Sequence, residues 1–308
     1  MSDKVEKKII FLKDTFPIVL FYKTHFMKGS RLYIILITGC CLAYFSFSRL
    51  LYEGETLSTD PTDVNQLQLN VLLYCKANAW VHTDAIAAAK EVFPELAKQQ
   101  DWKLTISDDP TLFTAHQLEK YDVLVWSNVT VRTLDDDQRA AFKDYIETGG
   151  GFVGIHGTGD NSHDWDWYYD ELIRAVFSHH PMEPQFQVGT LTRECPSNFK
   201  ACESLPSQWE WEEEWYVFEE SPRNKGAAII YTLDETNMVM HADSKGTEKH
   251  KDKGMCDDHP IVWFNCVGEG KAFYSALGHK GTYYHDPVHQ KLLIKAIEWA
   301  GDHNQKCN

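Results

Sequence analysis

From Leu67 onward the chain switches repeatedly between short apolar runs and stretches with helical spacing. Leu67–Tyr74 (LQLNVLLY) is β-rich and apolar, and Asp84–Gln99 places Ile86, Val92, Phe93 and Leu96 on one helix face. Trp102–Ile106 predicts a short strand, and Asp122–Trp126 (DVLVW) a strand buried on both faces. Asp135–Thr148 predicts a helix with acidic residues in its first turn and Gly149 at its exit. Gly151–Ile155 (GFVGI) follows as another buried strand. Such alternation with short connections implies an α/β fold, a parallel sheet with helices on both faces. The second half is less regular. Trp167–Val176 reads as a helix, and Glu214–Glu219, Ala227–Thr232, Ile261–Asn265 and Lys271–Ala276 read as strands. Leu292–Ala300 closes the pattern as an amphipathic helix.

Ahead of this body the pattern is different. Leu32 to Ser48 (LYIILITGCCLAYFSFS) carries no formal charge, and Leu50–Tyr52 extend it if Arg49 snorkels. Residues 1–52 hold eight basic and three acidic side chains, most of the basic ones before Arg31. The positive-inside rule then predicts a cytoplasmic segment 1–31, a spanning signal anchor 32–52 and a globular domain on the non-cytoplasmic side, periplasmic or lumenal. The rival is a cleaved signal peptide, against which stand the long basic region and the lack of a small-x-small site. Glu53–Gln66 is polar and aperiodic and reads as a tether, followed by a domain over 67–301 and a tail, 302–308.

The overall charge of −15 therefore hides a body that is far more acidic than the total. That body repels phosphate backbones, which excludes nucleic acid as a partner class. The eight cysteines contain no CxxC pair, which argues against zinc ribbons and thioredoxin-type sites. In an oxidising compartment Cys195 and Cys202 could close a small loop; the alternative is ordinary buried thiols. Asn128-Val129-Thr130 matches a glycosylation acceptor, a pattern frequent by chance.

In parallel sheets, ligands bind beyond the carboxyl ends of the strands. The loops there supply Trp80, His82, His156, Asp160, His180, Glu213, Glu214, Tyr216, His259 and His279. The segment Gly150–Gly157 has the layout of a strand–turn–helix elbow. The exposed elbow position, which in hydrolases and amidotransferases holds Ser or Cys, is His156. Imidazole transfers protons or ligates metals but is a poor acylating nucleophile, so glutaminase or esterase chemistry is excluded at this elbow.

The run GGGFVGIHGTGD, with Trp167-Tyr168, Phe177, His179-His180-Pro181, EEWYVF, DHPIVW and FYSALGH after it, resembles the ThuA-like (trehalose-utilisation) family of the class I glutamine amidotransferase-like superfamily. The resemblance covers roughly Leu69 to Gly301. It implies a flavodoxin-like, three-layer fold without the amidotransferase cysteine, and a role in carbohydrate metabolism on sugars or keto-sugars. His82 matches the family's histidine after the first strand, His156 the elbow histidine, and His180 the histidine-proline step. Glu213-Glu214-Trp215-Tyr216 matches D-E-W-Y, His259-Pro260 and Trp263 match H-P-x-x-W, and Gly278-His279 matches the late G-H. One departure is Arg193-Glu194-Cys195-Pro196, where relatives often have Asp-x-x-His-Pro; it would matter if that histidine shapes the site.

These residues lead to a first expectation: His156 and Glu214 form an acid–base pair acting on a sugar or keto-sugar, with His82 and His279 also catalytic. Only one of two successive strand residues can face a site, and Glu214 is the one expected to do so. Asp160, Trp80, His180, Glu213, Tyr216 and His259 are the expected substrate contacts. Trp165, Trp167 and Trp215 could stack on sugars, although aromatics are more often core. A second expectation is a divalent metal such as zinc, with His156, His82 and His259 as candidate ligands and a sugar hydrolase or isomerase as the outcome. A third is a carbohydrate-binding protein without catalysis. The partners expected are a small carbohydrate and the membrane through residues 32–52, with homo-oligomerisation left open. The charged stretch from His241 to Gly254 reads as a surface loop, a candidate lid.

Overall fold

The structure is a computed structural model that describes residues 68–196, 199–242 and 253–307. The expected cytoplasmic segment, anchor and tether lie outside the described residues, as does most of the charged stretch after His241. Among the described residues no helix is long and apolar enough to cross a membrane.

One nine-stranded sheet organises the body. Strands β1 (Asn70–Tyr74), β2 (Lys103–Ser107), β3 (Val123–Ser127) and β4 (Gly151–Ile155) coincide closely with the predicted apolar runs. They pair in parallel, in the order β2-β1-β3-β4. Helices α1 (Thr83–Gln100) and α3 (Asp136–Glu147) connect them, with the one-turn α2 (Ala115–Leu118) between. Helix α1 buries Ala85, Ala88, Ala89, Val92, Phe93 and Leu96, the face that the spacing predicts. Helix α3 starts on a capping box: Asp135 accepts from the Gln138 amide, and the Gln138 side chain accepts from the Asp135 amide. Its Phe142 stacks on Trp126 at 5.0 Å, and that pair packs on Phe152 of β4.

The other half of the sheet is antiparallel rather than parallel. Strands β6 (Gln187–Arg193), β7 (Gln208–Glu213), β9 (Ala228–Asp234), β10 (Pro260–Val267) and β11 (Gly270–Ser275) extend it in the order β11-β10-β9-β6-β7. Only the β11–β4 pairing, at the junction of the halves, is parallel. A short ribbon of β5 (Phe177–His179) and β8 (Val217–Phe218) lies apart. Helix α4 (Pro287–Gly301), capped by Asp286, packs on β4 and β11.

Three expectations are corrected here. Trp167–Val176 is not a regular helix but one π-helical turn, Tyr168–Leu172. The predicted strand Glu214–Glu219 is displaced: β7 ends at Glu213, residues 214–216 leave the ladder, and pairing resumes at Val217. Both β6 and β7 are strands where none was predicted. In β7 the alternation is real, with Trp209, Trp211 and Glu213 inward and Gln208, Glu210 and Glu212 outward, but a buried glutamate disguises it.

The antiparallel half curls. Four strand spacings of about 4.8 Å would set β7 nearly 20 Å from β11 in a flat sheet. Yet Glu213, at the end of β7, bonds the backbone just beyond β11. Register shifts between β9 and β10 at Pro260–Trp263 are the kind of irregularity that bends a sheet.

Candidate functional site

β1, β4, β7 and β11 all run in the same direction, so their carboxyl ends share one edge of the sheet. Each delivers one residue to a single cluster: His82, His156, Glu214 and His279, whose ring nitrogens and carboxylate oxygen lie within 4.8 Å of one another. His82 sits at the entry to α1. His156 is the first residue after β4 and holds φ of +46°, the strained left-handed geometry of an elbow. His279 follows Gly278, whose φ of +119° only glycine adopts without strain.

The distances inside the cluster are short. His156 Nε2 lies 3.1 Å from His279 Nδ1 and 3.5 Å from Glu214 Oε2, and His279 Nδ1 lies 3.0 Å from the same oxygen. The opposite nitrogen of His156, Nδ1, is 2.7 Å from the Ala276 carbonyl. A carbonyl only accepts, so Nδ1 carries the proton and neutral His156 presents a lone pair at Nε2. Glu214 Oε1 accepts from Gln185 Nε2 at 2.6 Å, and His180 Nδ1 stands 3.4 Å away. The His82 ring packs edge-on against His156 and His279, with centroids 5.0 and 4.6 Å away, and its buried Nδ1 has no hydrogen-bond partner.

Burial and neighbouring charge set the protonation states. Burial, reinforced by the two other histidines, pushes His82 down to about 3, so this ring is neutral. Burial also opposes a charged His156, but the contact with Glu214 and the charges of Glu213 and Glu214 outweigh it and raise its pKa. For Glu214, burial acts upward, and contacts with His156 and His279 overcome it, holding the carboxyl well below the usual range.

Glu213 does not reach the site as a substrate contact. It is fully buried beneath the cluster and accepts from four N–H groups: Gly278 at 2.8 Å, Glu214 at 3.0 Å, Trp211 Nε1 at 3.2 Å and His279 at 3.4 Å. It therefore ties together the two backbone segments that carry Glu214 and His279. His259 also lies outside the cluster: Nδ1 contacts Glu235 Oε1 at 2.6 Å, and Nε2 donates to the Tyr216 carbonyl at 2.8 Å. With both nitrogens engaged, it offers no lone pair as a ligand. Asp160 accepts from the Ser162 amide at 3.0 Å and ends the turn after β4.

The remaining expected contacts surround the cluster. The Tyr216 ring covers His156 at 4.4 Å, and His180 stacks on Tyr216 at 6.1 Å. Trp80, two residues before His82, is 71% exposed with φ of +44°. Of the other tryptophans, Trp215 is core and donates to the Gln187 carbonyl, while Trp165 and Trp167 pack on Phe142. The Arg193–Pro196 departure lies at the end of β6 remote from Gln187, whose partner across the ladder is Glu213. Six strand residues, about 20 Å, separate it from the cluster. There Cys195 and Cys202 form a disulfide, and a second joins Cys266 to Cys307.

Two contributors escape sequence reasoning. Gln185, which holds Glu214, carries no signal in its loop. Asn128 does carry one: it is the first residue after β3, a strand-end position like the others. It is buried, accepts from the Gly157 amide at 3.1 Å, and donates to the Tyr284 hydroxyl and the Gly278 carbonyl. It thus joins the loops bearing His156 and His279, and in the folded chain it is not accessible to a glycan.

A doubly handed α/β sheet with a histidine elbow and a His/Glu centre at one edge defines the class. The chain belongs to the ThuA family, described as trehalose utilisation, whose family model matches residues 70–300. Two similar solved structures are putative ThuA-like proteins. That from Bacteroides uniformis is 23% identical, covers 75% of this chain and 91% of its own, and has a TM-score of 0.62. That from Parabacteroides merdae is 15% identical, with coverage of 76% and 90% and a TM-score of 0.58. At these identities they support the fold alone. No curated protein matches the chain.

Proposed function

We propose that this protein acts on a sugar or keto-sugar at the centre formed by His82, His156, Glu214 and His279, as a membrane-anchored protein whose domain faces the non-cytoplasmic side. The observation that carries the reading is the convergence of three imidazoles and one carboxylate at the edge of the sheet where ligands bind. Membership of a trehalose-utilisation family supports the substrate class. The uncharged run Leu32–Ser48 with its basic flank supports the anchor, and two disulfides suit an oxidising compartment.

His156 and Glu214 are the working groups of this reading. The His156 Nε2 lone pair beside Glu214 can take and return a proton next to a sugar carbonyl or glycosidic oxygen, or it can coordinate an electron-poor centre. The substrate class does not depend on which. The test is turnover of the detergent-solubilised full chain on a panel of glycosides and their keto derivatives, with products followed by mass spectrometry. His156→Ala and Glu214→Gln should each lower turnover by about 10²–10⁴-fold, the range for a positioned acid or base. Full turnover in both variants would refute the assignment, and tight sugar binding without product would favour a binding protein instead.

A further inference from the structure

With His156 neutral, the cluster holds more lone pairs than protons. Three atoms converge at 3.0, 3.1 and 3.5 Å: His279 Nδ1, His156 Nε2 and Glu214 Oε2. With Nδ1 donating to the Ala276 carbonyl, neutral His156 presents a lone pair at Nε2, and Glu214 Oε2 is a carboxylate oxygen. His279 Nδ1 has one proton at most, so it serves one of the two acceptors well, and the acceptors face each other at 3.5 Å. His82, in the same cluster, buries a ring nitrogen with no partner. A cation placed among the three converging atoms would take the lone pairs that face one another.

We propose that His82, His156, Glu214 and His279 bind one divalent cation of the zinc class. The inference rests on the proposed function only for the location of the site, not for its substrate. Zinc bonds of about 2.0–2.1 Å to nitrogen and oxygen in a tetrahedron set neighbouring ligand atoms about 3.3 Å apart. The three close separations bracket that value, and His82 stands within 4.8 Å, near enough to complete the set or to leave a position open. Three imidazoles with one carboxylate favour zinc, cobalt or nickel over magnesium or calcium. The supporting contacts have the form that metal ligands require. The distal nitrogen of His156 donates to a backbone carbonyl, and the second oxygen of Glu214 is held by Gln185. The ligand set differs from the sequence expectation: His259 leaves, and Glu214 and His279 enter. A bound cation takes the lone pairs that an acid–base pair would use, so His156 then acts as a ligand and not as a base.

The test is zinc binding to the full chain in detergent, stripped with chelator and titrated with zinc alone. Calorimetry gives affinity, and elemental analysis after gel filtration gives stoichiometry. The expected result is close to one zinc per chain, with no comparable binding of magnesium. His156→Ala, His279→Ala and Glu214→Gln should each weaken zinc by more than the 10–100-fold typical of losing an outer-shell contact. His259→Gln, outside the cluster, should keep the parent's stoichiometry. Near-ultraviolet circular dichroism verifies folding of each variant, and the visible spectrum of the cobalt-loaded parent reads coordination without any variant. A parent that retains no zinc, or one whose affinity is unchanged by His156→Ala, overturns the proposal. Zinc binding without sugar turnover would keep this inference and remove the proposed substrate; turnover unaffected by chelation, with no zinc bound, would do the reverse.

Discussion

Glu213→Gln is the most informative single change, because it is isosteric and touches the site only through backbone. The carboxylate is fully buried, makes no ion pair among the described residues, and accepts four N–H bonds. Glutamine keeps one oxygen and turns the other into a donor, so one pair of N–H groups loses its acceptor: Gly278 with Trp211, or Glu214 with His279. Each buried donor left unsatisfied costs about 1–3 kcal/mol. Burial also pushes the Glu213 carboxyl upward, so neutralising it returns part of that loss. A net destabilisation of about 3 kcal/mol follows, which for a domain of this size lowers Tm by about 6–12 °C. Thermal unfolding followed by circular dichroism reads it. The same variant should weaken zinc binding by about 10–100-fold, since Glu213 holds the backbone of two proposed ligands. A Tm within a degree or two of the parent would show that the four donors do not depend on this carboxylate, and the positioning role would fall.

Acid should destabilise the fold through two buried histidines. His163 donates to the Thr158 carbonyl and His289 to the Tyr283 carbonyl, and burial pushes both down to about 4 from 6.5. Below pH 6.5 the unfolded chain binds more protons than the folded one, so stability falls as pH drops towards 4, by up to about 3 kcal/mol for each ring. Urea midpoints measured from pH 7 to 4.5 should fall, and less steeply in His163→Asn with His289→Gln; equal slopes would refute the assignment. Reducing Cys266–Cys307, which spans a sequence separation of 41, should remove about 4 kcal/mol by the loop-entropy argument. A Tm unchanged by reductant, with thiol titration proving reduction, would contradict that.

The parallel half was legible because its strands are uninterrupted apolar runs between amphipathic helices, and β4 falls on the predicted residues. The elbow was legible for a related reason: small residues flank His156, and the strand before it is unmistakable. The antiparallel half was not. Strand β7, QWEWEE, buries a glutamate at an inward position, and strand β6, QVGTLTR, mixes a glycine with polar residues. Local pattern therefore put a strand after Glu213 instead of before it. The choice of Glu214 over Glu213 matches where the side chains lie, but not for the reason given: the two diverge because the strand ends between them. By its place in a loop of the same sheet, His259 was a candidate substrate contact and metal ligand, as His279 was a candidate catalytic group. What separates them is the partner Glu235, supplied from a different segment, and no local spacing reveals that.

The junction of the two halves has a consequence for how the protein folds. Gly151 of β4 pairs with Lys271 of β11, the seam on which the whole sheet depends. His82 and His156 belong to the chain up to and just past β4, and Glu214 and His279 to the antiparallel half that follows it. Contacts between residues so distant in sequence form late and slowly, because the intervening chain must first be ordered. Neither segment alone contains the whole cluster, and a chain truncated between them carries only one pair of its side chains. The His/Glu cluster is therefore complete only in a chain whose two halves have joined along β4 and β11.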